Sequence, residues 1–139
     1  MSSVTYQVES KIDKNDLLSL YGNANWTAYT DAPERLEKAV SRSLRVITAR
    51  DGNKLIGLVR AVGDGLTIVY IQDILVHSEY KRRGIGSKLI ELLCSAFKEV
   101  RQKVLLTDDN PETRGFYEAL GFRACDEGKL VSFVKLSNQ

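Results

Sequence analysis

The feature that most constrains this chain lies between residues 66 and 106. An apolar strand, Leu66 to Val76, feeds the polar stretch His77 to Arg83, and a helix follows from about Gly84 to Lys98. A short apolar strand, Val104 to Leu106, comes next. Ile85, Leu89, Leu92, Leu93 and Ala96 keep helical spacing, and the strand before them is apolar on both faces, as a central strand is. A strand, a crossover helix and a second strand form a parallel pair in one sheet.

The join between strand and helix reads Lys81-Arg82-Arg83-Gly84-Ile85-Gly86-Ser87-Lys88. Unspent backbone N–H groups and the positive dipole end make a helix start an anion site. Gly84 and Gly86 let a phosphate approach the backbone where a Cβ would intrude, and three cations stand beside them. A diphosphate suits such a site. A solvated basic loop is the competing reading, because Gly-x-Gly alone is weak evidence. The dinucleotide fingerprint needs a third glycine where Leu89 stands, and no Walker pattern is present.

The remaining chain surrounds this unit. Val4, Tyr6 and Val8 alternate as a first strand. Asp13 caps a helix carrying Leu17, Leu18, Leu20 and Tyr21. Gly22 to Thr30, with Trp26 and Tyr29, reads as an aromatic loop. Asp31, ahead of Pro33 and Glu34, reads as the cap of a second helix bearing Leu36, Ala39 and Val40. Strands Leu44 to Ala49 and Lys54 to Val62 join through the turn Asp51-Gly52-Asn53. After Val104 to Leu106 come a helix, Glu112 to Leu120, and closing strands Phe122 to Cys125 and Leu130 to Leu136. The expected fold is α/β (α+β): a mixed, mostly antiparallel sheet of six to seven strands with helices on both faces, built as one domain over residues 1–139.

Composition narrows the function. The chain is 43% hydrophobic and 27% charged, which is globular. Twenty Lys and Arg against 18 Asp and Glu leave a net charge of +2, so bulk charge excludes a basic nucleic-acid binder but not a local anion site. Two cysteines, Cys94 and Cys125, and one histidine, His77, make neither a disulfide framework nor a metal set; no metal is expected, and a reducing, cytoplasmic setting fits. Residues 1–10 lack a signal-peptide pattern, and no apolar run reaches the roughly 18 residues of a membrane span.

A second segment, Asn110-Pro111-Glu112-Thr113-Arg114-Gly115-Phe116-Tyr117-Glu118-Ala119-Leu120-Gly121-Phe122, completes the pattern. With Lys81 to Gly86 it resembles the GCN5-related N-acetyltransferase (GNAT) family. The hexad is similar to that family's pyrophosphate loop, Gln/Arg-x-x-Gly-x-Gly/Ala, with Lys81 in the first place. Asn110, and Tyr117 within Phe-Tyr-x-x-x-Gly-Phe, are similar to its later motif. The likeness covers residues 44 to 136 well and the first forty loosely.

The resemblance implies acetyl-CoA as co-substrate and a primary amine as acceptor, with direct attack in a ternary complex. It assigns the backbone of Ile74, Leu75 and Val76 to the pantetheine arm and thioester carbonyl. Arg82, Arg83, Gly84, Ile85, Gly86 and Ser87 would cradle the diphosphate, Asn110 would bond the pantetheine side, and Tyr117 would protonate the departing thiolate. A phenol has a suitable pKa for that task, although Tyr117 also reads as a core aromatic.

Simple alternation puts Thr67, Val69, Ile71, Asp73 and Leu75 on one face, where Asp73 is the lone charge. It reads as a general base or ammonium anchor, or else as a solvent-touching strand end; Gln72 replaces the first acid of the pair that polyamine acetyltransferases carry there. A water chain could equally take the proton. His77 reads as an exposed loop residue, and Asp108 and Asp109 as a turn. A non-catalytic acyl-CoA sensor and a peptide or protein acetyltransferase remain alternatives. No nucleic-acid or membrane partner is expected, and a homodimer is left open.

Overall fold

The computed structural model describes residues 3–137. The chain forms two compact units that meet between Leu106 and Thr107. The first contains β1 (Val4–Val8), α1 (Lys14–Asn23), the one-turn α2 (Thr27–Thr30), α3 (Pro33–Ser41), β2 (Arg45–Asp51), β3 (Lys54–Gly63), β4 (Ile68–Val76), a 3-10 turn (Ser78–Tyr80), α4 (Ile85–Ala96) and β5 (Gln102–Leu105). The strands lie in the order β1-β2-β3-β4-β5. The first four are antiparallel neighbours, and β5 pairs parallel to β4 across the α4 crossover.

Local chemistry sets the boundaries. Asp13 accepts hydrogen bonds from the Asn15 and Asp16 N–H groups and starts α1. Gly52 takes a left-handed φ of 61° in the β2–β3 turn. Asp31 is not the cap of α3: it ends α2, Pro33 occupies the first turn, and Ala32 becomes the N-cap without a side-chain bond. The aromatic loop therefore contains a helical turn, too short for its periodicity to register in the sequence.

Adjacent β3 residues separate the two helical layers. Leu58 packs in a core with Leu17, Leu20 and Tyr21 of α1 and Leu36 and Val40 of α3. Gly57, pointing the other way, faces α4: a Cβ there would stand 3.2 Å from Ile85 Cγ2 and 3.3 Å from Leu89 Cδ1. The missing side chain lets α4 lie close on the sheet and so fixes where its first turn begins. Ile85, Leu89, Ile90 and Leu93 form the buried stripe of α4.

A β-bulge overturns the one-face reading of β4. Arg60 pairs with Asp73 but Ala61 pairs with Ile71, which leaves Gln72 as an extra residue. One inserted residue exchanges the faces. Asp73 and Leu75 thus share the α1 side, while Ile71 and Val69 share the α4 side.

The second unit holds α5 (Pro111–Ala119) and a 3-10 turn (Cys125–Glu127). Arg114 ties it together, bonding Asp109 at 2.6 Å and Asp126 at 3.0 Å. Among the described residues the sheet has five strands, not six to seven. Phe122 to Cys125 runs into the 3-10 turn, and Leu130 to Leu136 enters no ladder, its apolar side chains exposed. Alternation supplies a strand's faces but not its hydrogen-bond partner.

Candidate functional site

The basic loop makes a tight turn into α4. Arg82 and Gly84 both have left-handed φ values, 65° and 78°. Gly84 is the N-cap of α4 and, among the described residues, that cap has no side-chain bond. The first helical bond runs from Lys88 N–H to Gly84 O, so the N–H groups of Ile85, Gly86 and Ser87 have no acceptor within the helix. A non-glycine residue held left-handed costs on the order of 1 kcal/mol. Here that strain falls at a convergence of donors and positive charge.

Two anchors missed in the sequence hold the loop. Tyr80 donates to Asp51 Oδ2 at 2.6 Å, and its ring lies under Arg83 at 5.1 Å and Lys54 at 5.6 Å. Asn23, at the end of α1, bonds Ser78 twice: its Oδ1 accepts from the Ser78 N–H and its Nδ2 donates to Ser78 Oγ. His77 is more than an exposed residue, since its Nδ1 accepts from the Glu79 N–H and caps the 3-10 turn. The Tyr80–Asp51 and Asn23–Ser78 bonds join distant segments, and no local pattern announces them.

Strand β4 leads into this cradle with one edge open. Its pairing with β5 covers only Ile68 to Ile71, whereas its pairing with β3 continues to Val76. Among the described residues, Ile74, Leu75 and Val76 therefore have no strand partner on the β5 side. The Leu75 side chain is spent in the core, so the backbone is what this segment can offer a ligand.

Asp73 is 3% exposed and accepts from three donors: Tyr21 Oη at 2.9 Å, Tyr29 Oη at 2.8 Å and Arg60 Nε at 2.8 Å. The Tyr29 hydroxyl also accepts from Arg60 Nη2 at 3.3 Å and Gln72 Nε2 at 3.4 Å. Trp26 packs within 6.0 Å of Tyr29 and 5.7 Å of Tyr21, between ring centroids. Both aromatics of the expected loop are thus built into this cluster.

Burial, reinforced by the Asp73 charge, raises the Tyr21 phenol far above its ordinary pKa. Burial also raises Tyr29. Folded pKa values above the unfolded value of about 10 leave stability untouched below that pH and remove it as pH rises further. Alkaline unfolding should therefore steepen above about pH 10. Tyr21→Phe should lessen that steepening in chemical denaturation at several pH values; an unchanged slope would contradict the assignment.

In the second unit, Asn110 caps α5 by accepting from the Thr113 N–H at 2.8 Å, which leaves its amide donors outside the cap. Tyr117 is the buried residue of α5, with edge-to-face contacts to Phe116 and Phe122. Burial raises its phenol, and a hydrogen bond with Thr107 partly offsets the shift. The site residues are divided by the unit boundary: Asp73 to Ser87 lie before it, and Asn110 and Tyr117 after it. No trio of His, Cys, Asp or Glu placed to hold a metal ion occurs among the described residues.

The profile of the acetyltransferase (GNAT) family matches residues 14–122. The chain belongs to the GNAT family. A GNAT-family acetyltransferase from Streptococcus pneumoniae TIGR4 is 34% identical, with a TM-score of 0.88 over 99% of this chain and 100% of that one. The chloroplastic GCN5-related N-acetyltransferase 2 of Arabidopsis thaliana is 38% identical over 77 residues, 54% of this chain but 29% of that protein. AAC(6')-Iy in complex with a bisubstrate analogue, CoA-S-monomethyl-acetylneamine, shares the fold at 19% identity and a TM-score of 0.73, over 97% of this chain and 99% of that one. The chain spans between 29% and 46% of the length of the curated relatives it matches. No helix of the described residues is long and apolar enough to cross a membrane.

Proposed function

We propose that this protein transfers the acetyl group of acetyl-CoA to a primary amine, by direct attack in a ternary complex, with both units acting as one N-acetyltransferase domain. The observation that carries this reading is the β4 edge at Ile74 to Val76, without a β5 partner among the described residues, running into a first turn of α4 whose N–H groups have no acceptor within the helix. The GNAT profile, which spans both units, supports it.

In this reading the edge amides of β4 bond the pantetheine arm and the thioester oxygen that gains charge. Residues 82–87 hold the diphosphate through backbone N–H groups and flanking cations. Asn110 bonds the pantetheine side with its amide. The amine nitrogen bonds the acetyl carbon, the carbon–sulfur bond breaks, and Tyr117 gives its proton to the thiolate. The Asp73 carboxylate is already engaged by a guanidinium and two phenols, so in this reading it positions Tyr29 and Gln72, and water accepts the amine proton. A small amine in a reducing, cytoplasmic setting is the favoured acceptor; both cysteines are free thiols.

Acetyl-CoA and CoA should each raise the melting temperature, since a ligand at 100 times its Kd adds about 2.7 kcal/mol to the folded state. Pantetheine, which lacks the diphosphate, should do far less. Gly86→Asp sets a carboxylate in the cradle and should remove most of the CoA shift, while the first helical turn tolerates Asp. Equal shifts from pantetheine and CoA, or a folded Gly86→Asp variant with normal binding, would place the diphosphate elsewhere. A panel of amines assayed by free-thiol release identifies the acceptor.

A further inference from the structure

Four residues, Lys81 to Gly84, carry the chain from the 3-10 turn into α4, and Arg82 and Gly84 among them are left-handed. Glycine takes that conformation without strain. Arg82 has a Cβ, and a residue of that kind stays left-handed only where the structure on both sides over-determines it. After the loop that structure is α4, which lies against Gly57 through Ile85 and Leu89.

Before the loop it is a series of ties to separate elements. The His77 N–H bonds Ile56 O of β3 at 2.8 Å, and Ser78 is bonded by Asn23 of α1. Tyr80 closes the 3-10 turn through its own N–H to His77 O, and its hydroxyl donates to Asp51 Oδ2 at the end of β2. Of these ties the Tyr80 hydroxyl stands nearest to Arg82 in the chain. Its far end is fixed, because Asp51 is paired to Val4 on one side and to Lys54 on the other. The same ring carries Arg83 at 5.1 Å and Lys54 at 5.6 Å, so one side chain gathers two cations beside the loop.

We propose that Tyr80 is a positioning residue for acetyl-CoA: its bond to Asp51 holds the left-handed turn at Arg82, and with it the N–H groups that meet the diphosphate. The inference rests on the acetyl-transfer reading above and adds to it a control exerted from the β2–β3 hairpin. With the tie in place the loop is ordered before the ligand arrives. Without it Arg82 relaxes towards the ordinary regions of backbone space, the donors diverge, and the ligand must order the loop as it binds, which lowers affinity.

Tyr80→Phe keeps the ring beside Lys54 and Arg83 and removes only the hydroxyl. Asp51→Ala removes the acceptor, and Asp51→Asn retains one. Calorimetric titration with CoA should show a Kd roughly three- to tenfold higher in Tyr80→Phe and in Asp51→Ala. Combining the two should raise it no further, since both break one bond, and Asp51→Asn should recover most of the loss. In turnover the change should fall on the KM for acetyl-CoA, while kcat and the amine KM hold. Without ligand, amides of residues 81–87 should exchange faster in Tyr80→Phe, whereas those of residues 89–93 inside α4 should not. Where the unmodified protein binds CoA, several results would overturn the proposal: a folded Tyr80→Phe variant with the original affinity, losses that add in the double variant, a fall in kcat matching that in kcat/KM, or unaltered exchange of residues 81–87. A Tyr80→Phe variant that does not fold would make the tie structural and overturn it too. Failure of the unmodified protein to bind CoA would instead remove the acetyl-transfer reading, and this inference with it, so the two failures are told apart.

Discussion

Tyr117→Phe is expected to lower kcat by roughly 10²–10⁴, the range for a lost general acid, with acetyl-CoA binding nearly unchanged. The change removes one oxygen from a packed ring, so stability should move by no more than the ~1 kcal/mol of one hydrogen bond. Burial raises the phenol above its ordinary value, so this phenol stays protonated through neutral pH. The kcat of the unmodified protein should fall only as pH climbs past about 10, and that limb should be absent from the Phe variant. Both statements require chemistry rather than product release to limit turnover. The edge-to-face packing on Phe116 and Phe122 would suit a purely structural tyrosine equally well. A folded Phe variant with the original rate and pH profile on a good acceptor would establish that role instead.

What the sequence made legible is what local chemistry decides. The Asp13 cap, the left-handed turn at Gly52, the strand Val4–Val8 and the open start of α4 each depend on residues within one turn of one another. The turn into α4 could be read for the same reason, since Arg82 to Ser87 are contiguous. The β4 bulge could not: Gln72 looks like any strand residue, and its displacement appears only in the register against Arg60 and Ala61. The Asn23–Ser78 and Tyr80–Asp51 bonds join residues 55 and 29 positions apart. One long-range contact did leave a trace. Arg60 is the lone charge between Leu55 and Val62, Asp73 the lone charge between Val69 and Val76, and the turn Gly63-Asp64-Gly65 joins the two strands. Opposite charges in two such apolar strands point to a cross-strand pair. The closing strands misled for the converse reason, because Leu130 to Leu136 has the faces of a strand but enters no ladder among the described residues.

Arg60→Met should be the most destabilising single change in the first unit. The Arg60–Asp73 pair lies at 2.8 Å with side chains 7% and 3% exposed. Removing one partner leaves a buried carboxylate with two phenols and no counter-charge, at a cost of about 3–5 kcal/mol. For a chain of this length that corresponds to a fall in Tm on the order of 10 °C or more. Arg60→Met/Asp73→Leu should recover much of the loss, because apolar replacement of both partners removes the desolvation penalty together with the attraction. Recovery should be partial, since the buried Tyr21 hydroxyl then loses its acceptor, at about 1–3 kcal/mol. Urea unfolding of the two single variants and the double variant gives the coupling directly. A loss below about 1 kcal/mol in Arg60→Met would mean the pair contributes little to the fold. The same double variant tests how Asp73 acts. If Asp73 took the amine proton itself, a folded double variant would lose turnover far beyond any change in amine KM. If it acts by positioning Tyr29 and Gln72, the loss should be smaller and should fall mainly on KM, with the acetyl-CoA-induced rise in Tm intact.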